Sequence, residues 1–118
     1  MMKGLDQYKV RMKEIHHVHK LDAPSGTAIT LAEGIMKEEH AEHWTIAPEG
    51  SKDQLFIEVE RQGEVPGTHE VHYDSSVDSI EIKHTAHSRQ GFALGAVVAA
   101  EWLKDKKGVF SMSDVLSI

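Results

Sequence analysis

The sequence predicts an α+β domain: a mixed sheet of about four strands with helices on one face. Two patterns and one absence carry this. Apolar and polar residues alternate at Tyr8-Val10-Met12, at Leu55-Ile57-Val59 and at Ile80-Ile82-His84-Ala86, the period of strands buried on one side. Behind Ser25 the period changes, and Ala28, Leu31, Ala32, Ile35 and Met36 fall on one face of a helix. No repeat or low-complexity segment interrupts the 118 residues, so one core in one domain is expected.

In chain order, residues 1–7 carry little pattern. Residues 8–14 form the first strand, Glu14 fitting its alternation less cleanly. Ser25 is a good N-cap, since its hydroxyl can accept from an amide two or three residues on, and a helix over 26–39 follows. Residues 43–47 suit a short strand and 48–54 a polar loop. Clear strands follow over 55–60, 69–73 and 79–86, with a connection at 63–67 around Pro66. Residues 91–104 turn helical and are apolar nearly all round until Glu101, which calls for burial on more than one side. Residues 113–116 make at most a terminal turn. The 26–39 helix should cover one face of the sheet. Phe56, opposite Leu55, Ile57 and Val59, hints that the other face is apolar too and open to self-association.

Composition excludes several functions. A formal net charge of −6 argues against a nucleic-acid binder. The absence of cysteine removes disulfides and thiolate metal sites. The longest apolar run, 92–100, has nine residues where a membrane span needs about 20. With no signal-peptide pattern near the start, the expectation is a soluble, cytoplasmic protein with no membrane partner.

The densest chemistry lies at His16-His17-Val18-His19-Lys20, between the first strand and Ser25. Three readings compete. As a metal site, His16 and His19 would be ligands with Asp22. No second histidine pair at zinc-like spacing follows, however, and Lys20 would repel the cation. As loop residues, the histidines would simply be solvated. As acid–base groups they titrate near neutrality, with Lys20 adding positive charge and a second proton. The helix start behind them favours the third reading. The first-turn amides of Gly26 and Thr27 lack helical partners, and the positive end of the dipole favours an anion there. Taken alone, Gly26-Thr27 reads equally well as a plain helix entry. No metal ion is expected.

The remaining motifs have plainer readings. Asp22-Ala23-Pro24 reads as a turn and nothing more. His40, His43, His69, His72, His84 and His87 read as structural or solvated. Gly91 and Gly95 suit helix packing. Neither the dinucleotide fingerprint nor a nucleophile elbow is present, and Ser25 is better explained as a cap than as a nucleophile.

At these residues the chain resembles dihydrodipicolinate reductase, also called 4-hydroxy-tetrahydrodipicolinate reductase, of bacterial lysine and diaminopimelate synthesis. Glu14, His16, His17, Lys20 and the run Asp22-Ala23-Pro24-Ser25-Gly26-Thr27-Ala28 fit its signature in register. Val65-Pro66-Gly67-Thr68-His69, His84-Thr85-Ala86-His87-Ser88-Arg89 and Phe92-Ala93-Leu94-Gly95-Ala96 look like later blocks of the family. The resemblance covers essentially the whole chain.

The resemblance implies a glyceraldehyde-3-phosphate-dehydrogenase-like C-terminal domain that binds a small dicarboxylate and forms a homotetramer through its sheet. It implies His16 as proton donor or acceptor, Lys20 as second acid, and His17, Gly26 and Thr27 as substrate-carboxylate ligands. It also puts Arg89 and Phe92 near the hinge and the nicotinamide. NADH or NADPH would be held mainly by an N-terminal Rossmann domain, which these residues do not include. The chain is therefore expected to be a fragment spanning the substrate half, inactive alone, with its last helix shared with the cofactor domain. The competing expectation is a non-enzymatic anion-binding or oligomerisation module.

Overall fold

The structure is a computed structural model that describes Met2 and residues 4–39, 41–48 and 53–118. His40 and part of the loop expected over 48–54 lie outside the described residues. The chain divides into two compact units, one ending at His87 and one spanning Ser88–Ile118.

The first unit is a mixed sheet crossed by one helix. Its strands are β1 (Lys9–His16), β2 (His43–Thr45), β3 (Gln54–Arg61), β4 (Gly67–Asp74) and β5 (Ser79–Ala86), in the order β2-β3-β1-β4-β5. β1 and β2 run parallel to β3, whereas β4 is antiparallel to both β1 and β5. Parallel neighbours need a crossover, and the helix α1 (Gly26–Met36) lies on the path from β1 to β3. The fifth strand is the short 43–47 segment, trimmed to three residues.

Alternation along the strands sorts the residues by face. On one face Met12 pairs with Ile57 and Val71. Ala28 and Ala32 of α1 complete a buried cluster with Met12, Leu55 and Ile57. The small alanines let the helix backbone lie close to the sheet, and each large side chain enclosed beneath it contributes roughly 1.5–3 kcal/mol. Leu31, expected on the same stripe, is instead 39% exposed. Leu31 stands 100° around the helix from its neighbour Ala32, enough to carry it past the edge of the contact. α1 ends at Met36 rather than 39. Glu38 and Glu39 would put negative charge at the negative end of the dipole, and both their amides turn back to the Ile35 carbonyl.

The second face corrects the expectation of an apolar surface. Lys13 pairs with Glu58 and Glu60 at 2.9 Å, Arg11 with Asp74 at 3.1 Å, and Lys83 with Glu70 at 2.7 Å. Phe56 and Ile15 share that face with these charges. Each exposed pair is worth at most about 1 kcal/mol, so the lattice fixes strand register more than it stabilises the fold.

The second unit holds α2 (Gln90–Leu103) and α3 (Met112–Leu116). None of α2's residues is buried, and Phe92, Leu94, Val97 and Val98 are all more than two-fifths exposed. α3, where only a turn was expected, is stabilised by a capping box in which Ser111 and Asp114 exchange hydrogen bonds. Ahead of α3, Trp102 meets Phe110 edge to face at 5.2 Å and Lys106 sits over the Trp102 ring. Among the described residues no helix is long and apolar enough to cross a membrane.

Candidate functional site

Four elements of the first unit converge at the carboxyl ends of the parallel strands β1 and β3. Glu14 and His16 are two apart on β1 and so share the face that carries the core. Register then places His69 of β4 beside Glu14, and Arg61 of β3 beside His16. The apolar interior thus gives way, toward this end of the sheet, to a buried polar cluster closed by the start of α1.

Glu14 is the centre of that cluster and is fully buried. Its Oε2 accepts the Ser25 amide at 3.0 Å, and its Oε1 accepts both terminal nitrogens of Arg61 at 3.2 Å. His16 Nδ1 stands 3.6 Å and His69 Nε2 3.8 Å from Oε2. Burial pushes the Glu14 carboxyl up, but Ser25, His16 and Arg61 outweigh it and hold the pKa below the usual carboxylate range. Arg61 also donates to the Asp22 carbonyl at 2.6 Å, so one guanidinium ties β3, β1 and the loop into α1 together.

Ser25 performs the expected capping, its hydroxyl accepting from the Ala28 amide at 3.2 Å, and it also meets His69 Nε2 at 3.1 Å. The rings of His16 and His69 pack edge to face at 5.0 Å. Gly67 leaves space for this: a Cβ there would lie 3.1 Å from His16 Nε2.

Of the site residues named from sequence, His16 is buried, His17 half-buried, and Gly26 and Thr27 exposed at the helix start. Lys20 is 22% exposed and pairs with Asp22 at 2.9 Å. Its charge bears on both His16 and His69. Arg89 and Phe92 belong to the second unit, Arg89 at the N-cap of α2 and Phe92 in its first turn. Asp22 exceeds the turn role expected of it, since its side chain holds Lys20 and its carbonyl holds Arg61.

Sequence reasoning missed three members of the cluster. His69, read with the other histidines as structural or solvated, lies in the cluster, against His16 and on the Ser25 hydroxyl. Glu14, set aside as an imperfect strand position, is the hub. Arg61 carried no signal at all. The resemblance blocks containing Glu14, Gly67 and His69 were the available pointers. The metal set His16, His19 and Asp22 is not assembled, for His19 pairs with Glu64 at 2.9 Å and Asp22 with Lys20. Glu14, His16 and His69 do bring three donor atoms within 4.8 Å of one another. Arg61 already supplies the positive charge there, however, and both Glu14 oxygens are engaged.

Burial is the largest cause lowering the pKa of both His16 and His69, and Glu14 only partly offsets it. The sign of the pH dependence follows. Below about pH 6.5 the unfolded chain takes up protons that the folded one refuses. Their contribution is therefore present above that pH and is lost as pH falls toward the lowered folded values. The urea midpoint is expected to fall between about pH 7.5 and about pH 5.5, and to fall less in a His69→Gln variant. An unchanged midpoint would contradict burial of the neutral rings.

Known proteins share this fold and much of this sequence. The chain is 58% identical to the 4-hydroxy-tetrahydrodipicolinate reductase of Christiangramia forsetii over 99% of its own length and 49% of that protein. It is 42% identical to the enzyme of that name from Methanosarcina acetivorans over 98% of its length and 46% of the relative. The chain thus spans about half the length of the curated relatives it matches. The fold resembles the solved structure of dipicolinate-bound dihydrodipicolinate reductase from Paenisporosarcina sp. TG-14, with a TM-score of 0.65 and 23% identity over 86% of this chain and 42% of that one. The family profile described as dihydrodipicolinate reductase, C-terminus, matches residues 1–116, and the chain belongs to that family.

Proposed function

We propose that this chain is the substrate-binding and proton-transferring half of a 4-hydroxy-tetrahydrodipicolinate reductase. The reaction is reduction of a cyclic dicarboxylate to tetrahydrodipicolinate in lysine and diaminopimelate biosynthesis. The observation that carries this reading is the enclosed His16, flanked by cationic Lys20 and set beside the start of α1. In this reading His17 and the amides of Gly26 and Thr27 hold a substrate carboxylate. His16 moves a proton, and Lys20 serves as second acid.

We read no dinucleotide cradle among the described residues. The connection from β1 into α1 has one glycine, Gly26, in place of the glycine-rich turn that brings a pyrophosphate onto the backbone. A nicotinamide, NADH or NADPH, supplies hydride when bound. We assign its binding mainly to the half of the relatives that this chain does not span, with Arg89 and Phe92 beside it. The reading extends to a cytoplasmic homotetramer assembled through the second face of the sheet, where the lattice of Lys13, Glu58, Glu70 and Lys83 offers both signs of charge for self-complementary contact.

The test is calorimetric titration with pyridine-2,6-dicarboxylate. Charged hydrogen bonds contribute about 1.5–3 kcal/mol each, so a His17→Ala, Lys20→Ala double variant should bind at least tenfold more weakly than wild type. Equal affinity in the two, or no binding by wild type, would refute the site.

A further inference from the structure

The geometry points to Glu14 as the positioning residue of His16: its carboxylate holds the imidazole proton on Nδ1 and so reserves Nε2 for exchange with a bound guest. The inference rests on the reading of His16 as the proton carrier.

Three observations support it. First, His16 Nδ1 is enclosed and has no hydrogen-bond partner within bonding distance. The polar atom it faces is Glu14 Oε2, at 3.6 Å. Such contacts are commonly long before a ligand closes the site and shorten in the complex. Second, Glu14 is itself immobilised. The Ser25 amide fixes Oε2 and the Arg61 fork fixes Oε1, so the carboxylate cannot turn away. Third, Nε2 lies beside Gly67, where an added Cβ would stand 3.1 Å away and crowd it. One nitrogen is therefore enclosed beside an anion, and the other lies beside a glycine that brings no side chain against it.

The chemistry follows from the two nitrogens being unlike. A neutral imidazole with its proton on Nδ1 offers a lone pair on Nε2. When Nε2 takes a proton, the ring becomes an imidazolium and Glu14 balances the charge that appears. When Nε2 returns the proton, the Nδ1 contact restores the starting tautomer. Burial above all, and with it Lys20, Arg61 and His17, opposes protonation of His16, and Glu14 favours it. Removing the carboxylate would leave the ring surrounded by groups that resist its charging. His69, 3.8 Å from Oε2, is held instead on the Ser25 hydroxyl and so does not displace His16 from the carboxylate.

The tautomer can be read directly from long-range proton–nitrogen NMR spectra of the nitrogen-labelled chain at about pH 7.5. Wild type should show His16 neutral with its proton on Nδ1. Glu14→Gln, whose amide can donate where the carboxylate accepts, should move the His16 proton to Nε2 and lower the pH at which the ring charges. Glu14→Asp, which keeps the charge on a shorter arm, should restore the Nδ1–H form at least in part. A wild-type His16 carrying its proton on Nε2 overturns the assignment even if no variant folds. An unchanged tautomer in Glu14→Gln overturns it as well. The pyridine-2,6-dicarboxylate titration judges the site separately. A wild type with Nδ1–H that binds no dicarboxylate keeps the Glu14 contact and loses the substrate reading, and the reverse pattern loses only the contact.

Discussion

Replacing Arg61 by methionine is expected to destabilise the domain by about 3–5 kcal/mol near neutral pH, the usual cost of breaking a buried ion pair on one side. The substitution keeps a long apolar stem but strips Glu14 of two of its hydrogen bonds, leaving a fully buried carboxylate with the Ser25 amide as its remaining strong donor. It also frees the Asp22 carbonyl, so the loop into α1 loses its tie to β3. Without the guanidinium, one of the contacts that hold the Glu14 carboxyl low is gone, and its folded pKa lies less far below the unfolded one. A carboxylate with a lowered pKa contributes stability that is present above the unfolded pKa and lost as pH falls through the folded one, so the variant lacks part of that contribution near neutral pH and the deficit should shrink on acidification. Urea denaturation at two pH values measures this. A Glu14→Leu, Arg61→Met double variant should recover much of the loss, because an apolar pair leaves no uncompensated charge. A single variant as stable as wild type at neutral pH would show that Arg61 contributes nothing to the cluster.

Truncating Ile57 to alanine should cost about 2–5 kcal/mol, through lost transfer free energy and the cavity left behind. Ile57 is fully buried, pairs in register with Met12, and belongs to the cluster with Ala28 and Ala32. The backbone here is held by the ladder to β1, which pairs residues 56–61 of β3, so the site has little freedom to collapse. Leu31→Ala is the control. The residue falls on the same sequence stripe but is two-fifths exposed, and its truncation should cost less than about 1 kcal/mol. Equal losses at 57 and 31 in urea midpoints would mean that α1 sits on the sheet rotated from the arrangement described.

Much of the fold is legible because short-range chemistry writes it. The period-2 runs at Leu55-Ile57-Val59 and Ile80-Ile82 became β3 and β5, and Ser25 capped α1 at the Ala28 amide as its hydroxyl allows. The errors lie where charge or packing over distance decided. α1 stopped three residues early because acidic residues meet a dipole end. The second face of the sheet is charged because Arg11 and Lys13 find their acids on other strands, Asp74, Glu58 and Glu60.

The chain by itself determined which residues could do chemistry, because histidine, lysine and a capped helix start declare their capabilities wherever they stand. Only the tertiary structure decided which of them act together. Arg61 is 47 residues from Glu14 and Ser25 is 44 from His69, and pairings that remote are set by strand register and order. Placing β1 between β3 and β4 is what turned an ill-fitting Glu14 into the hub of the site. A buried carboxylate is tolerable only where such long-range partners surround it.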